Sequence, residues 1–414
     1  MTAAVPARQA ALLVAFMWVA YFLNYADRQA VFAMFPALKS NLGMTDKQLG
    51  LIGAVFLWVY AFGCPIAGQL GDRFPKRLLV VLSLITWSII TVATGLATSG
   101  MMLLTLRAAM GVSESLYMPT AIALTANAHA PEQRSRAIAT LTTAQIVGTV
   151  AGSWFGGWMA DCGQWRGAFF VLGAVGVVYA LPYFLFLRGV NEAGQAGPAK
   201  VGTALAFPAL IKVRTFLLLC VVFPVFVFGL WLLYGWLPTF LHDKFTLNQS
   251  DAAFNATVFL QGTTLIGLLG GGVLADKLYV RTRAARLWLM VASLLLCAPC
   301  LHALGSSDTL NSTRISAAGF GLFAGLFMGN IFPAAFEVVP THTRASAVGL
   351  LNFCGAIISG FATLFGGLWK QSLGIHRLLT LTAIAYVVAG LALIAGCALL
   401  FQSDHERVRS SSIG

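Results

Sequence analysis

The sequence predicts an all-α integral membrane protein of twelve transmembrane helices in two six-helix halves, and three observations predict it. Hydrophobic residues make up 58% of the 414 and charged residues only 10%, where a soluble domain carries about a quarter, and the mean hydropathy is +0.82. Apolar runs that supply the roughly 20 residues of helix a bilayer requires recur twelve times. A short polar motif stands in the first half and again, at a constant offset, in the second.

The runs lie near 11–38, 49–70, 78–98, 101–126, 137–160 and 167–187, then near 215–240, 252–275, 286–305, 315–338, 346–369 and 378–401. An even number of crossings returns both termini to one side. With the N terminus in the cytoplasm, seventeen Lys and Arg fall in loops on that side and seven on the other, which leaves Arg28 and Arg107 inside spans. Basic loops stay in the cytoplasm, so both termini are expected there. The same asymmetry accounts for the net charge of +12 without nucleic acid as a partner. The first run is too long for a cleavable signal peptide and lacks a small-residue cleavage site. The longest polar interruption, 188–214, reads as a cytoplasmic linker between bundles at 1–187 and 215–402, with 403–414 as a cytoplasmic tail. Within it, "TALAFPALIK" reads either as a short amphipathic piece on the inner membrane surface or as a plain loop. The cysteines lie mostly in apolar runs, and Cys297 and Cys300 have no histidine or second pair at ligand spacing. They read as small apolar residues, and no metal or cofactor is expected. An enzyme is not expected either, because there is no nucleotide loop and no Ser/His/Asp set outside the spans.

The repeated motif is "GQLGDRFPKR", with Gly68, Leu70, Asp72, Arg73 and Arg77, and "GVLADKLYVR", with Gly272, Leu274, Asp276, Lys277 and Arg281. Each residue of the second set follows its counterpart by 204 positions. A similar offset aligns "LGMTDKQLGLIGAVF" with "FTLNQSDAAFNATVF". Duplication of a six-helix unit is the simplest account, and such repeats are typical of transporters with a site between halves. In each loop a carboxylate can accept from the first amides of a neighbouring helix while the cations face the inner leaflet. That combination reads as a conformational latch. An ordinary positive-inside loop would explain Arg73, Lys76 and Arg77, but not two copies at equal spacing.

"GQLGDRFPKR" resembles the signature loop of the major facilitator superfamily, and "LTLRAAMGVSES" resembles its fourth-helix pattern, with Arg107 at the arginine position and Gly111 following. The resemblance covers the whole chain. It implies the major facilitator fold and secondary transport by alternating access. "NYADRQAV", "GVSESLYMPT" and "PEQRSRA" resemble two branches. One is the anion:cation symporter family of sugar-acid, phthalate and sulfoacetate carriers, whose pattern falls on Asp27, Arg28, Arg107, Glu114, Pro119 and Thr120. The other is the spinster-like branch of lysolipid or sphingolipid carriers, which "VVPTHTRASA" also resembles.

Charges inside a bilayer are costly and need partners or a task. Arg107 and Glu114 are seven apart, on nearly one helix face and about 10 Å apart along the axis. Asp27 and Arg28 fall at a depth between them, so all four would line one cavity if the first and fourth spans adjoin, an adjacency the resemblance implies. A carboxylate that gains and loses an arginine partner can couple proton movement to substrate movement, which makes Asp27 and Glu114 the candidates for proton coupling. A permanent charge network between the two helices is the alternative. Arg28 and Arg107 offer planar donors to an anion. Tyr21 and Tyr25 are expected in the same pocket. Gln145, Gln261, Asn330 and Asn352 read either as cavity-facing or as interhelical hydrogen-bonding groups. Glu337 reads as an interfacial residue at the end of the tenth span. Gly148, Gly152, Gly156 and Gly157 let the fifth span cross a neighbour closely, and the stretch lacks the proline of many exporters in the superfamily.

The expected function is thus proton-coupled import of a small organic anion by a monomer in a bacterial inner membrane. A spinster-like lipid carrier is the alternative, and proton-driven drug efflux a more distant one.

Overall fold

The computed structural model describes residues 7–129, 131–189, 210–340 and 343–411, and these form helices joined by short turns, with no strand among them. Most of the expected linker, with all of "TALAFPALIK" before Leu210, lies outside the described residues. The helices are α1 (Ala7–Ala33), α2 (Phe35–Leu42), α3 (Asp46–Arg73), α4 (Lys76–Gly95), α5 (Gly100–Ala128), α6 (Pro131–Asp161), α7 (Trp165–Arg188), α8 (Arg214–Phe245), α9 (Gln249–Tyr279), α10 (Ala285–Ser306), α11 (Leu310–Phe336), α12 (Arg344–Trp369), α13 (Ile375–Leu399) and α14 (Phe401–Ser411).

All of these except α2 and α14 run to 20 residues or more, and ten are long and apolar enough to cross a membrane. The other two, α5 and α6, have 29 and 31 residues and so exceed the length of a span. Their lower apolarity has a plain source: α5 carries Arg107 and Glu114, and α6 opens on "PEQRSR". Large apolar side chains such as Val178 and Leu181 on α7 and Ile315 on α11 stand exposed on the outer faces, as they do where lipid rather than water is the solvent. The chain is a multi-pass membrane protein.

Two expectations change. The first span ends at Ala33 rather than continuing to 38, because Pro36 sits at the start of α2, where a missing N–H is tolerated, and not inside a longer helix. The expected tail is helical through Ser411.

The chain divides into two compact units, one of Met1–Ala199 with Leu237–Thr257, the other of Lys200–Trp236 with Val258–Gly414. In the first unit α1 runs along α6, α3 packs on α5, and α4 packs on both α5 and α7. The α1–α6 contact is backbone against backbone. A Cβ added at Gly148, Gly152 or Gly156 would strike the main chain of Phe22, Ala26 or Ala30 respectively, so the four-residue glycine repeat of α6 matches a four-residue repeat on α1. Between α4 and α5 the hydroxyls of Ser83 and Ser113 each donate to the other's carbonyl, at 2.6 and 3.0 Å. These contacts fix α1 against α6 and α4 against α5.

In the second unit α10 packs on α11 and α13. Trp236 donates to the Thr363 carbonyl at 2.8 Å, and the Phe226 and Phe327 rings stack at 4.1 Å. The buried Asp404 of α14 accepts from both the amide and the hydroxyl of Thr215, each at 2.8 Å, and so caps the first turn of α8.

Candidate functional site

Successive residues of a helix point about 100° apart, and Asp27 and Arg28 accordingly leave α1 in different directions. The Asp27 carboxylate accepts from the Thr91 hydroxyl on α4. Arg28 reaches α5, where its Nη2 donates to Glu114 Oε2 at 2.5 Å, and it also donates to Asn24 Oδ1 at 3.3 Å. This ion pair realises the adjacency of the first and fourth spans. Both partners are buried, Arg28 at 5% exposure and Glu114 at 0%. The guanidinium carbon of Arg28 lies 4.7 Å from the ring centres of Tyr25 and Phe56 and 5.5 Å from that of Tyr60. Such rings stabilise a desolvated cation.

Arg107 approaches the same Phe56 ring, at 5.1 Å. Its Nη1 lies 3.2 Å from Met110 Sδ, it is fully buried, and among the described residues it forms no ion pair. Several polar atoms of the cluster have no hydrogen-bond partner: Arg28 Nε, Arg107 Nε and Nη2, Glu114 Oε1, Asp27 Oδ1, Asn24 Nδ2 and Gln29 Nε2. Buried donors left empty are costly. Two guanidiniums thus share one aromatic ring, one carries a carboxylate, and both keep donors that an incoming anion could fill.

Of the other expected pocket residues, Tyr25 meets Arg28, whereas Tyr21 belongs to the apolar cluster with Leu13, Met17, Trp87 and Tyr117, its ring 5.2 Å from that of Tyr25. Gln145 is half-buried on α6. In the second unit Gln261 is buried on α9 with Nε2 unpartnered, and Asn330 on α11 donates to its own helix at the Leu326 carbonyl, 2.8 Å away, with Oδ1 unpartnered. Asn352 is exposed on α12. Asn24 joins the cluster although only its place in "YFLNYADR" hinted at it. Phe56 and Thr91 had no sequence signal, being ordinary residues of membrane helices, and Tyr60 stood out only as one of several aromatics that read as packing or interface anchors.

The repeated motif is less symmetric than its spacing. In the first copy Gly68 and Asp72 fall in the last turns of α3 with their side chains outside the described set, and Arg73 and Arg77 are exposed. In the second copy Gly272 is half-buried, while Asp276, Lys277 and Arg281 are exposed. The partner of Asp276 is not a helix amide but the Arg286 side chain in the first turn of α10, at 3.0 Å, and Arg286 Nε also donates to Glu337 Oε1 at 2.9 Å. Glu337 is therefore part of a charge bridge. A carboxylate on a helix N-terminus occurs instead at Asp161, which ends α6 and accepts from the Gln249 and Ser250 amides, both at 2.8 Å, and from the Ser250 hydroxyl at 2.6 Å.

Glu337 follows the last residue of α11, and burial pushes its carboxyl up from the ordinary 4.5 to about 7 against the pull of Arg286. The folded chain holds this proton to higher pH than the unfolded chain does. Its contribution to stability is therefore full below the unfolded value and lost as pH rises through the folded one. The unfolding temperature is expected to fall from about pH 5 to about pH 8, and Glu337→Gln to flatten that slope. A slope unchanged by the substitution would count against this group as its source.

Comparison with known proteins agrees with this picture. Residues 17–363 match the family model described as Major Facilitator Superfamily. The chain is 32% identical over 293 residues to "Probable sulfoacetate transporter SauU" of Cupriavidus necator, covering 67% of each chain. It is 24% identical over 400 residues to "Hexuronate transporter" of Bacillus subtilis, covering 91% of this chain and 94% of that one. A crystal structure of a bacterial homolog to the human lysosomal transporter Spinster, inward-facing and occupied, aligns with a TM-score of 0.82 at 21% identity, over 95% of this chain and 98% of that one.

Proposed function

The chain belongs to the Major Facilitator Superfamily and is a transporter, not an enzyme, and we propose that it carries a small organic anion together with protons by alternating access. The observation that carries this reading is the pair of buried guanidiniums on Phe56, of which, among the described residues, only Arg28 has a carboxylate. A carboxylate, sulfonate or phosphate entering between them would take the unfilled donors of Arg107 and compete with Glu114 for Arg28. Once displaced, Glu114 would be a buried carboxylate without its cation, a state that favours taking a proton. Return of Glu114 to Arg28 would release the proton and the anion on the same side. Asp27, held by Thr91, serves as the second proton-responsive group. Tyr25 orients Arg28, Gln145 on α6 adds a polar group in the first unit, and Gln261, Asn330 and Asn352 serve as substrate-contacting groups of the second.

The names of the two relatives support the substrate class, since sulfoacetate and hexuronates are both small organic anions. In the same reading the protein acts as a monomer in a bacterial inner membrane with both termini cytoplasmic. Residues 1–187 and 215–402 act as the two bundles of the alternating-access cycle, and the loops at Asp72 and Asp276 serve as latches.

Glu114→Gln is the direct test. In liposomes this variant is expected to exchange substrate across the membrane but not to concentrate it on a proton gradient. Full accumulation by the variant would make Glu114 structural and overturn the coupling.

A further inference from the structure

A basic cavity of about 590 Å³ lies in the second unit where α9, α10 and α11 end or begin, and it shares no residue with the cluster of α1 and α5. Five elements supply its walls. Arg283 comes from the turn after α9, its guanidinium 4.9 Å from the Tyr279 ring. Arg344 begins α12, with its guanidinium 5.4 Å from the Phe336 ring and Nη2 donating to the Phe336 carbonyl at 3.3 Å. The lining carboxylate, Glu337, is bonded to Arg286, which Asp276 also neutralises.

That leaves a charge excess. Among the described residues neither Arg283 nor Arg344 forms an ion pair, and Arg344 Nε is buried with no hydrogen-bond partner. His405 of α14 contacts the Glu337 carbonyl through Nδ1 at 3.1 Å. A carbonyl only accepts, so Nδ1 carries the proton and Nε2 remains for another partner. The aromatic rings hold the guanidiniums at the wall, which lowers the entropy lost when they bind.

We propose that this cavity is an anion site for a phosphate group, separate from the transport site and closed on one side by the C-terminal helix. Two guanidiniums without carboxylates are the donors that a tetrahedral oxyanion takes. The cavity sits at the ends of spans, which is headgroup depth, and basic pockets between spans at that depth bind anionic lipid headgroups. A soluble phosphorylated compound presents the same chemistry. Because Arg283, Arg344 and His405 come from separate elements, an occupant would tie α14 to the ends of α9 and α12.

The test uses the purified full chain in nanodiscs. In phosphatidylcholine alone, inorganic pyrophosphate is added and the unfolding temperature is followed; in a parallel arm phosphatidylglycerol is mixed into the bilayer and bound lipid is counted by native mass spectrometry. Stabilisation by pyrophosphate identifies a soluble phosphate as sufficient. Retention of phosphatidylglycerol without a pyrophosphate effect identifies the headgroup. In either arm Arg283→Gln, an exposed position that leaves the fold intact, and Arg344→Gln are each expected to weaken binding about tenfold, whereas Lys277→Gln outside the cavity leaves it unchanged. No effect of either ligand, or an equal effect on wild type and both arginine variants, overturns the site.

Discussion

Arg28→Met is expected to abolish uptake and to destabilise the protein by about 3–5 kcal/mol, the cost of leaving one member of a buried pair alone. The loss comes from the other partner. Glu114 is fully buried, its Oε2 is held by Arg28 at 2.5 Å, and its Oε1 already lacks a hydrogen bond. Removing the guanidinium strands a fully buried carboxylate. The companion prediction separates structure from function: Arg28→Met with Glu114→Gln removes both charges and is expected to regain most of the unfolding temperature while uptake stays at background. Near-wild-type stability of the single variant, measured by thermal unfolding in detergent, would show that Glu114 finds another partner, and the pair would lose its structural meaning.

Gly152→Val is expected to be the most damaging substitution outside the charged cluster. Even a methyl group there would meet the Cα, carbonyl carbon and oxygen of Ala26. Those are backbone atoms and cannot rotate away, so α1 and α6 must separate. Overpacking costs about 1–3 kcal/mol for small insertions, and a branched side chain against a main chain exceeds that range. Separation would also carry Asp27 and Arg28, next to Ala26, away from Thr91 and Glu114. Gly349→Ala on α12 is the control, because its Cβ would meet nothing within 4 Å; alanine there is expected to be neutral or to stabilise by up to about 1 kcal/mol. Size-exclusion profiles and unfolding temperatures compare the two. Equal behaviour would refute the close α1–α6 crossing.

The contrast between these positions shows what was legible in the sequence. Ten of the spans stand out by hydropathy alone, because every backbone amide in lipid must be paired within a helix, and α5 and α6 match them in length. The glycines of α6 stood out by spacing, and Asp27, Arg28, Arg107 and Glu114 by the cost of burying charge. How they pair was not legible. That Arg28 rather than Arg107 takes Glu114, and that Asp27 turns to Thr91, depends on the rotation of α1 against α4 and α5, a three-dimensional relation that no local spacing encodes. Phe56 is one of 30 phenylalanines and nothing local distinguishes it. Asp161 lies just beyond the expected fifth span and Asp404 in the expected tail, with nothing in the sequence around them to mark a partner. Each meets a helix N-terminus far along the chain, at Gln249 and Thr215, and such a pairing leaves no periodic trace. Asp276 stood out as the charged member of a repeated motif, but its partner Arg286 lies beyond that motif.

The central claim is that two buried arginines and a protonatable carboxylate move a small organic anion on a proton gradient. Purified protein in liposomes with an inward proton gradient, offered a panel of labelled sugar acids, aromatic acids and sulfonates, tests it most directly. At least one acid is expected to accumulate above its external concentration and to leak back when a protonophore collapses the gradient. Failure across the whole panel, with movement of a labelled lysolipid instead, would contradict the account.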